Sequence, residues 1–219
     1  MIRPKVITAP TLKPVTVTEV KQHLRITHTS EDTLLDLFIS AATSHFEKNT
    51  GRTVYETTLE IAMQDFPYSE RTGYYGGQNW DWNIVSDFIE LPNAAPLISV
   101  VSVKYLDKDG VSTTWPSTSY VVDTHEDIGR IAPAYGVTYP SFIPYPLNAV
   151  RIRYIAGIEN VTSPLVVPEE GIRVCVMEIV GSMYLFREQF SLPDFSGIDF
   201  VLNPVTRLLL DRYRVKYAF

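Results

Sequence analysis

Four histidines, one cysteine and a few clustered carboxylates are the side chains of this 219-residue sequence that could do chemistry. None of His23, His28, His45 or His125 stands four residues from another histidine or from the cysteine, and a single cysteine cannot build a zinc knuckle. His23 and His45 fall within helical patterns and read as ordinary packing or surface residues. Cys175 lies on an apolar helical face without cationic sequence neighbours, which describes a buried, inert thiol better than a nucleophile. No phosphate-binding glycine loop and no G-x-S-x-G elbow occurs. Two clusters allow a site to be imagined. Trp80-Asp81-Trp82 beside Tyr74 and Tyr75 resembles a sugar-stacking surface, with Asp81 and Asp87 as a glycosidase pair. The competing reading of the same loop is an interface, where Trp and Tyr are common anchors, or simple loop packing. Asp123, Glu126 and Asp127 could approach calcium, but their spacing is not that of an EF-hand loop, and turn-stabilising acids are the better reading. No catalytic residue, metal site or cofactor is therefore expected, and the chain is read as a non-enzyme.

The elements around these residues are plainer. Thr16 and Glu19 have capping-box spacing, and Val17, Val20, Leu24 and Ile26 then mark one apolar edge, predicting a short helix over 17–26. A long helix is predicted over 30–52, with Ser30 as its cap and Glu31 and Asp32 in its first turn. Leu34, Leu35, Phe38, Ala41, Ala42, His45 and Phe46 recur at helical spacing, and Gly51 is a natural stop. After it the period changes to two. Leu59–Met63, Phe88–Leu91, Val101–Tyr105, Val111–Trp115, Tyr120–Asp123, Arg130–Ala132 and Val150–Ile155 read as strands, with a hairpin turn at Asp107–Gly110. The proline-rich stretch between the last two is an extended arm, because proline removes ladder donors. A third long helix opens near Pro168 and buries Ile172, Cys175, Val176, Ile179, Met183 and Phe186. Asn203 and Pro204 then start a last helix that runs through Tyr213.

This order predicts an α+β fold: a helical bundle built from the N- and C-terminal helices, with an inserted β-rich domain and long loops. The expected boundaries are 1–52 and 165–219 for the helical domain and 53–164 for the insert, with extended loops at 67–86 and 132–148. Composition is ordinary for a globular chain, 45% hydrophobic and 20% charged. No signal peptide and no run of membrane-spanning length is read, so no membrane partner is expected. A net charge of −6 disfavours general nucleic-acid binding. The charge is uneven: twelve acids against three bases lie between Val54 and Asp127, whereas Arg207, Arg212, Arg214 and Lys216 face only Asp211 after residue 200. An acidic body with a basic tail could stack head to tail; a solvated surface and a helix whose cations suit its dipole explain the same numbers more simply.

The opening residues also carry a family resemblance. "VTVTEVKQHLRIT", "SEDTLLDLFISAAT" and "TGRTV" are similar to the start of head–tail connector (adaptor) proteins of tailed bacteriophages and gene transfer agents. The matching positions are Thr16, Glu19, Lys21, His23, Leu24 and Arg25, then Glu31 and Asp32, Ala41 and Ala42, and Thr50, Gly51 and Arg52. Later, "ELPNAAPLISVVSVKYLDKDG" resembles the family's hairpin and "VRIRYIAGI" its strand end. The sequence departs from the pattern in inserts at 68–86 and 132–148 and in an elongated stretch at 187–203.

The resemblance implies a structural virion protein made in the host cytoplasm and placed in the neck between capsid and tail. Its subunits would form a homo-oligomeric ring, typically dodecameric, under the portal protein. The ring would carry the stopper or tail-terminator protein and let genomic DNA pass without sequence-specific binding. Alternatives are a stopper or tail terminator itself, or a phage carbohydrate-binding or glycosidase module using the 74–82 loop. Under the connector reading, Arg207, Leu208, Leu209, Arg212, Tyr213, Tyr217 and Phe219 are expected to dock on the portal; the competing reading is that Leu208, Leu209 and Tyr213 close the subunit's own helices. Ala41, Ala42, Tyr74, Tyr75, Trp80, Trp82, Tyr139 and Phe142 are expected at subunit or tail interfaces.

Overall fold

The computed structural model of the chain describes residues 4–67, 88–157, 169–185 and 204–215. It is an α+β protein with antiparallel sheets and four helices among the described residues. The chain divides into two compact units, one of residues 1–9 and 57–157, the other of residues 10–56 and 158–219.

The first unit is built on strands. Strands β1 (Lys5–Thr8), β2 (Thr57–Met63), β4 (Leu97–Leu106), β5 (Ser112–Trp115) and β8 (Val150–Ala156) form one sheet in the order β1-β2-β8-β4-β5. The short strands β3 (Ile89–Glu90), β6 (Tyr120–Asp123) and β7 (Arg130–Pro133) form a second sheet, ordered β3-β7-β6. All pairings are antiparallel. The alternation read in the sequence decides which face is buried. Leu59 and Ile61 of β2, Val103 of β4, Trp115 of β5, and Ile152 and Tyr154 of β8 enter a core shared with Ile89, Tyr120 and Ile131 of the second sheet. Asp107 closes the β4–β5 hairpin: its carboxylate accepts from the N–H groups of Asp109 and Val111, and Gly110 takes the positive φ that the turn requires.

Strand β1 was not among the expected strands. Its four residues are all exposed and only β2 holds them, so nothing in their own pattern announces a strand. The first nine residues consequently group with the sheets and not, as expected, with the helices. The proline-rich arm opens inside β7, whose last residues are Ala132 and Pro133, and makes no strand beyond it; a bridge from Pro144 to Asp107 and a hydrogen bond from the Tyr145 N–H to the Leu106 carbonyl fasten it to the β4 end of the hairpin.

The second unit is helical. Helices α1 (Val17–Leu24), α2 (Asp32–Thr50), α3 (Glu170–Leu185) and α4 (Pro204–Tyr213) contribute to one core, in which Val20, Leu35, Ile39, Ala42, Phe46, Cys175, Val176, Ile179 and Val180 are fully buried. The capping box at Thr16 and Glu19 is present in both directions. Glu19 also meets the Arg173 guanidinium and so ties α1 to α3. The Thr16 N–H holds the Glu19 carboxyl below its ordinary range, helped by the Thr16 hydroxyl and by Arg173, although partial burial opposes them. Helix α1 stops at Leu24, two residues sooner than expected, because Arg25 turns into the left-handed region and its N–H bonds back to Gln22 and Lys21. Ser30 does not cap α2. Its hydroxyl is engaged with the His28 ring at 2.9 Å, and Glu31 stands at the cap position without a side-chain bond. Gly51 ends α2 at φ 72°, as its position predicted.

One partly buried carboxyl stands near the end of α2. The Glu47 carboxylate accepts from the Val54 N–H at 2.9 Å. Burial raises its pKa, and that hydrogen bond only partly offsets the shift. The folded chain therefore holds this proton more tightly than the unfolded one, and stability contributed here falls as pH rises from the ordinary carboxyl range to the raised value. Glu47→Gln keeps an acceptor for Val54 without the charge. It should be more stable than the native chain at pH 7 by up to about 1 kcal/mol, with the gain shrinking toward pH 4. Urea titrations at the two pH values check this; a variant less stable at pH 7 contradicts it.

Candidate functional site

Where they are described, most of the groups with potential reactivity are engaged in packing or in ion pairs. Cys175 is fully buried, and burial with Glu178 nearby pushes its thiol up to about 11. His23 lies 3.8 Å from Glu178 and His28 lies 3.7 Å from Glu31, so both can serve as surface ion-pair partners. Burial, with Lys48 adding to it, lowers the pKa of His45. Among the described residues no group of three or more metal-ligating side chains comes together, and no helix is long and apolar enough to cross a membrane. Trp80, Trp82, Tyr74, Tyr75, Asp81 and Asp87 lie outside the described residues.

Helix α4 divides into a buried and an uncovered side. Its inner side, Thr206 and Leu210, is buried in the helical unit, with Leu209 and Tyr213 half-buried beside them. Four contacts fix it there. The Tyr213 hydroxyl donates to Glu169 at 2.9 Å, and Arg52 Nε donates to the Tyr213 carbonyl at 2.7 Å. The Val215 N–H donates to the Thr50 carbonyl at 2.7 Å, and Arg214 Nε to the Asn49 carbonyl at 3.3 Å. Val205, Arg207, Leu208 and Arg212 are left on the outer side, with Leu208 71% exposed. The docking set read from the sequence is thus split by the helix: Arg207, Leu208 and Arg212 face outward, while Leu209 and Tyr213 lean on their own unit. Tyr217 and Phe219 lie outside the described residues.

The other expected interface residues are also divided. Ala41 is exposed, but Ala42, one residue on, is fully buried among the helices of its own unit. Adjacent helical residues point about 100° apart, and here that turn leaves only Ala41 of the pair on the outside. Tyr139 and Phe142 pack inside the β unit. The Tyr139 ring stacks on Phe66 at 5.3 Å and the Phe142 ring lies 4.8 Å from Tyr105. The arm's exposed apolar side chains are instead Tyr135, Val137, Ile143, Tyr145 and Leu147. They escaped sequence reasoning because an arm without a fixed period does not tell which of its side chains turn inward.

A shallow depression of about 450 Å³ opens beside α1, lined by Val17, Thr18, Lys21, Gln22, Arg25, Ile26, Thr27 and Asp32. The Lys21–Asp32 ion pair, at 2.8 Å, joins α1 to the start of α2 along it. It collects residues of the opening motif, including Lys21 and Arg25, on one surface.

The comparisons agree with the resemblance read in the sequence. Residues 14–74 match the model of a family described as phage gp6-like head–tail connector protein. No curated protein matches the chain. Among solved structures, the chain is similar to one from the neck of an empty gene transfer agent particle computed with sixfold symmetry, with TM-score 0.71, 20% identity, and 99% of this chain and 97% of that one covered. A chain from the virion of a native gene transfer agent particle gives 0.70, 20%, 99% and 97%. A chain from a native neck computed with twelvefold symmetry gives 0.68, 19%, 100% and 97%. At these identities the structures share a fold with this chain along nearly its whole length.

Proposed function

We propose that this chain, which carries the head–tail connector match in residues 14–74, is a structural subunit of a virion neck. The observation that carries the reading is that match together with a neck-protein fold over 99% of the chain. Copies form a ring, typically dodecameric, under the portal protein; the ring receives a stopper or tail-terminator protein and lets DNA through. The symmetric necks of its structural relatives support a ring. Its role is assembly and not catalysis. Helices from both ends of the chain form a bundle that presents α4, and the β-rich unit is inserted between them. A ring requires a heterologous contact that closes by rotation, so each copy uses two different surfaces.

The outer side of α4, Arg207, Leu208 and Arg212, docks on the portal. Removing the chain after Asn203 is a poor test, because Thr206, Leu210 and Val215 are buried in the helical unit and their loss would damage it. Leu208→Asp with Arg212→Glu changes only exposed positions. The variant should fold within about 0.5 kcal/mol of the native chain and yet fail to co-sediment with portal-bearing capsids, which would accumulate without tails. Undiminished co-sedimentation would refute docking through α4. Electron micrographs in which the labelled chain never occupies the vertex between capsid and tail would refute the neck role itself.

A further inference from the structure

Strand β1 adds no side chain to the buried core of its sheet. It pairs Lys5 with Glu60, Val6 with Leu59 and Thr8 with Thr58 of β2, and the register shifts between Val6 and Thr8. All four of its residues are exposed. Val6 stands opposite Leu59, which is buried, yet Val6 itself is 54% exposed, and Ile7 is exposed as well. The core therefore stops at β2, one strand short of the edge. Releasing β1 gives up a few ladder hydrogen bonds, each of modest net worth once water replaces them, and opens no cavity.

The chain that follows β1 is fastened much more firmly. Ala9, Pro10 and Thr11 are exposed. Beyond them Leu12 packs against the core of the helical unit, and Val15 is buried in it. Lys13 donates to the Asp36 carboxylate of α2 at 2.6 Å, and the Pro14 carbonyl accepts from Arg173 Nε of α3 at 3.2 Å. A strand of the β unit is thus tethered, through three exposed residues, to a segment anchored in the helical unit. Pro10 fixes its own φ and has no N–H, so it favours an extended tether. A short hinge that ends in a detachable strand invites exchange between identical chains. The edge of β2 already accepts residues 5–8 of this sequence, so a second copy needs no new complementarity. Handed from each copy to the next, the strand and the edge that receives it are two different surfaces, as a heterologous, ring-closing contact requires.

We propose that in the assembled ring β1 of each copy leaves its own sheet and pairs, in the same register, with β2 of a second copy of this chain. The proposal rests on the neck-ring reading and assigns one of its subunit contacts. Thr8→Cys with Thr58→Cys tests it, because cross-strand partners stand close enough for a disulfide and the native Cys175 is buried. Lys5→Cys with Glu60→Cys supplies a second pair at the other end of the register. The reduced variants should unfold at the native urea midpoint. Oxidised after assembly on portal-bearing capsids and run on a denaturing gel without reductant, the rings should give a series of linked multimers; the single-cysteine variants can give no more than dimers. Oxidised as a dilute isolated subunit, the same chains should close on themselves. The locked subunit should then need a concentration roughly tenfold or more higher to assemble, and reduction should restore the native value. Rings whose oxidised chains run as self-linked monomers overturn the exchange. So does a locked subunit that assembles at the native concentration, and so does the failure of both pairs to form a disulfide in either setting. These results would leave the neck reading standing. A native chain that forms no ring on any portal removes both.

Discussion

Phe46→Ala is expected to lower the unfolding free energy of the helical unit by about 4 kcal/mol, within the range for truncating a fully buried phenylalanine. Phe46 has no exposed surface and lies in the cluster that joins residues of α2 with Cys175, Val176 and Ile179 of α3 and Leu210 of α4. Its ring also meets the Tyr213 ring edge-on at 6.0 Å. Alanine would leave a cavity that several helices must close at once, and helices fixed by caps and backbone bonds cannot shift far. The loss would reach α4, because Tyr213 is held on one side by Phe46 and on the other by Glu169 and Arg52. Portal co-sedimentation should therefore fall with stability, whereas Leu208→Asp with Arg212→Glu separates the two. Phe46→Leu should restore more than half of the lost free energy, since most of the volume returns. Urea denaturation followed by far-ultraviolet dichroism measures this, and a loss below about 2 kcal/mol would mean that the cluster is looser than its burial shows.

Elements with a period of their own were readable from the sequence. The capping box of α1, the glycine stop of α2 and the alternating strands β2, β4 and β8 each write their conformation in consecutive residues. What escaped was decided by partners that an element's own pattern does not name, whether near in sequence or far. Strand β1 exists because β2 offers it an edge, and Ser30 loses the cap because His28 takes its hydroxyl. The family match was visible in Thr16, Glu19, Lys21 and Arg25. The side-chain directions that divide Ala41 from Ala42 and Leu208 from Leu209 required the helix axis to be fixed. That Lys104 of β4 and Arg151 of β8 are cross-strand partners was invisible for a related reason: 47 positions separate the two residues in the chain, and only the register of β4 on β8 sets them side by side. Charge counted along the sequence puts Lys104 inside an acidic stretch, although in the fold its row is basic.

Gly129→Ala is the substitution expected to damage the β unit most for a single added methyl, by about 3 kcal/mol. A Cβ at this position would lie 2.4 Å from both the Cβ and a terminal methyl of Leu97. The terminal methyl could rotate away, but the Leu97 Cβ is fixed by its own backbone at the start of β4, which pairs with Ala156 of β8. Residue 129 cannot retreat either. Its N–H donates to the Ala94 carbonyl and its carbonyl accepts from the Leu91 N–H, both at 2.9 Å. The clash must therefore be relieved by breaking one of these bonds or by displacing Ile128 and Ile131, which are buried on either side. Leu97→Ala made together with Gly129→Ala gives methyl and backbone room to settle only in part, because the Cβ of residue 97 remains. The double variant should recover some, but not all, of the loss predicted by adding the single effects. Urea midpoints for the three chains decide the matter: a Gly129→Ala chain within 1 kcal/mol of the native one would show that the 91–97 segment yields more readily than its hydrogen bonds indicate.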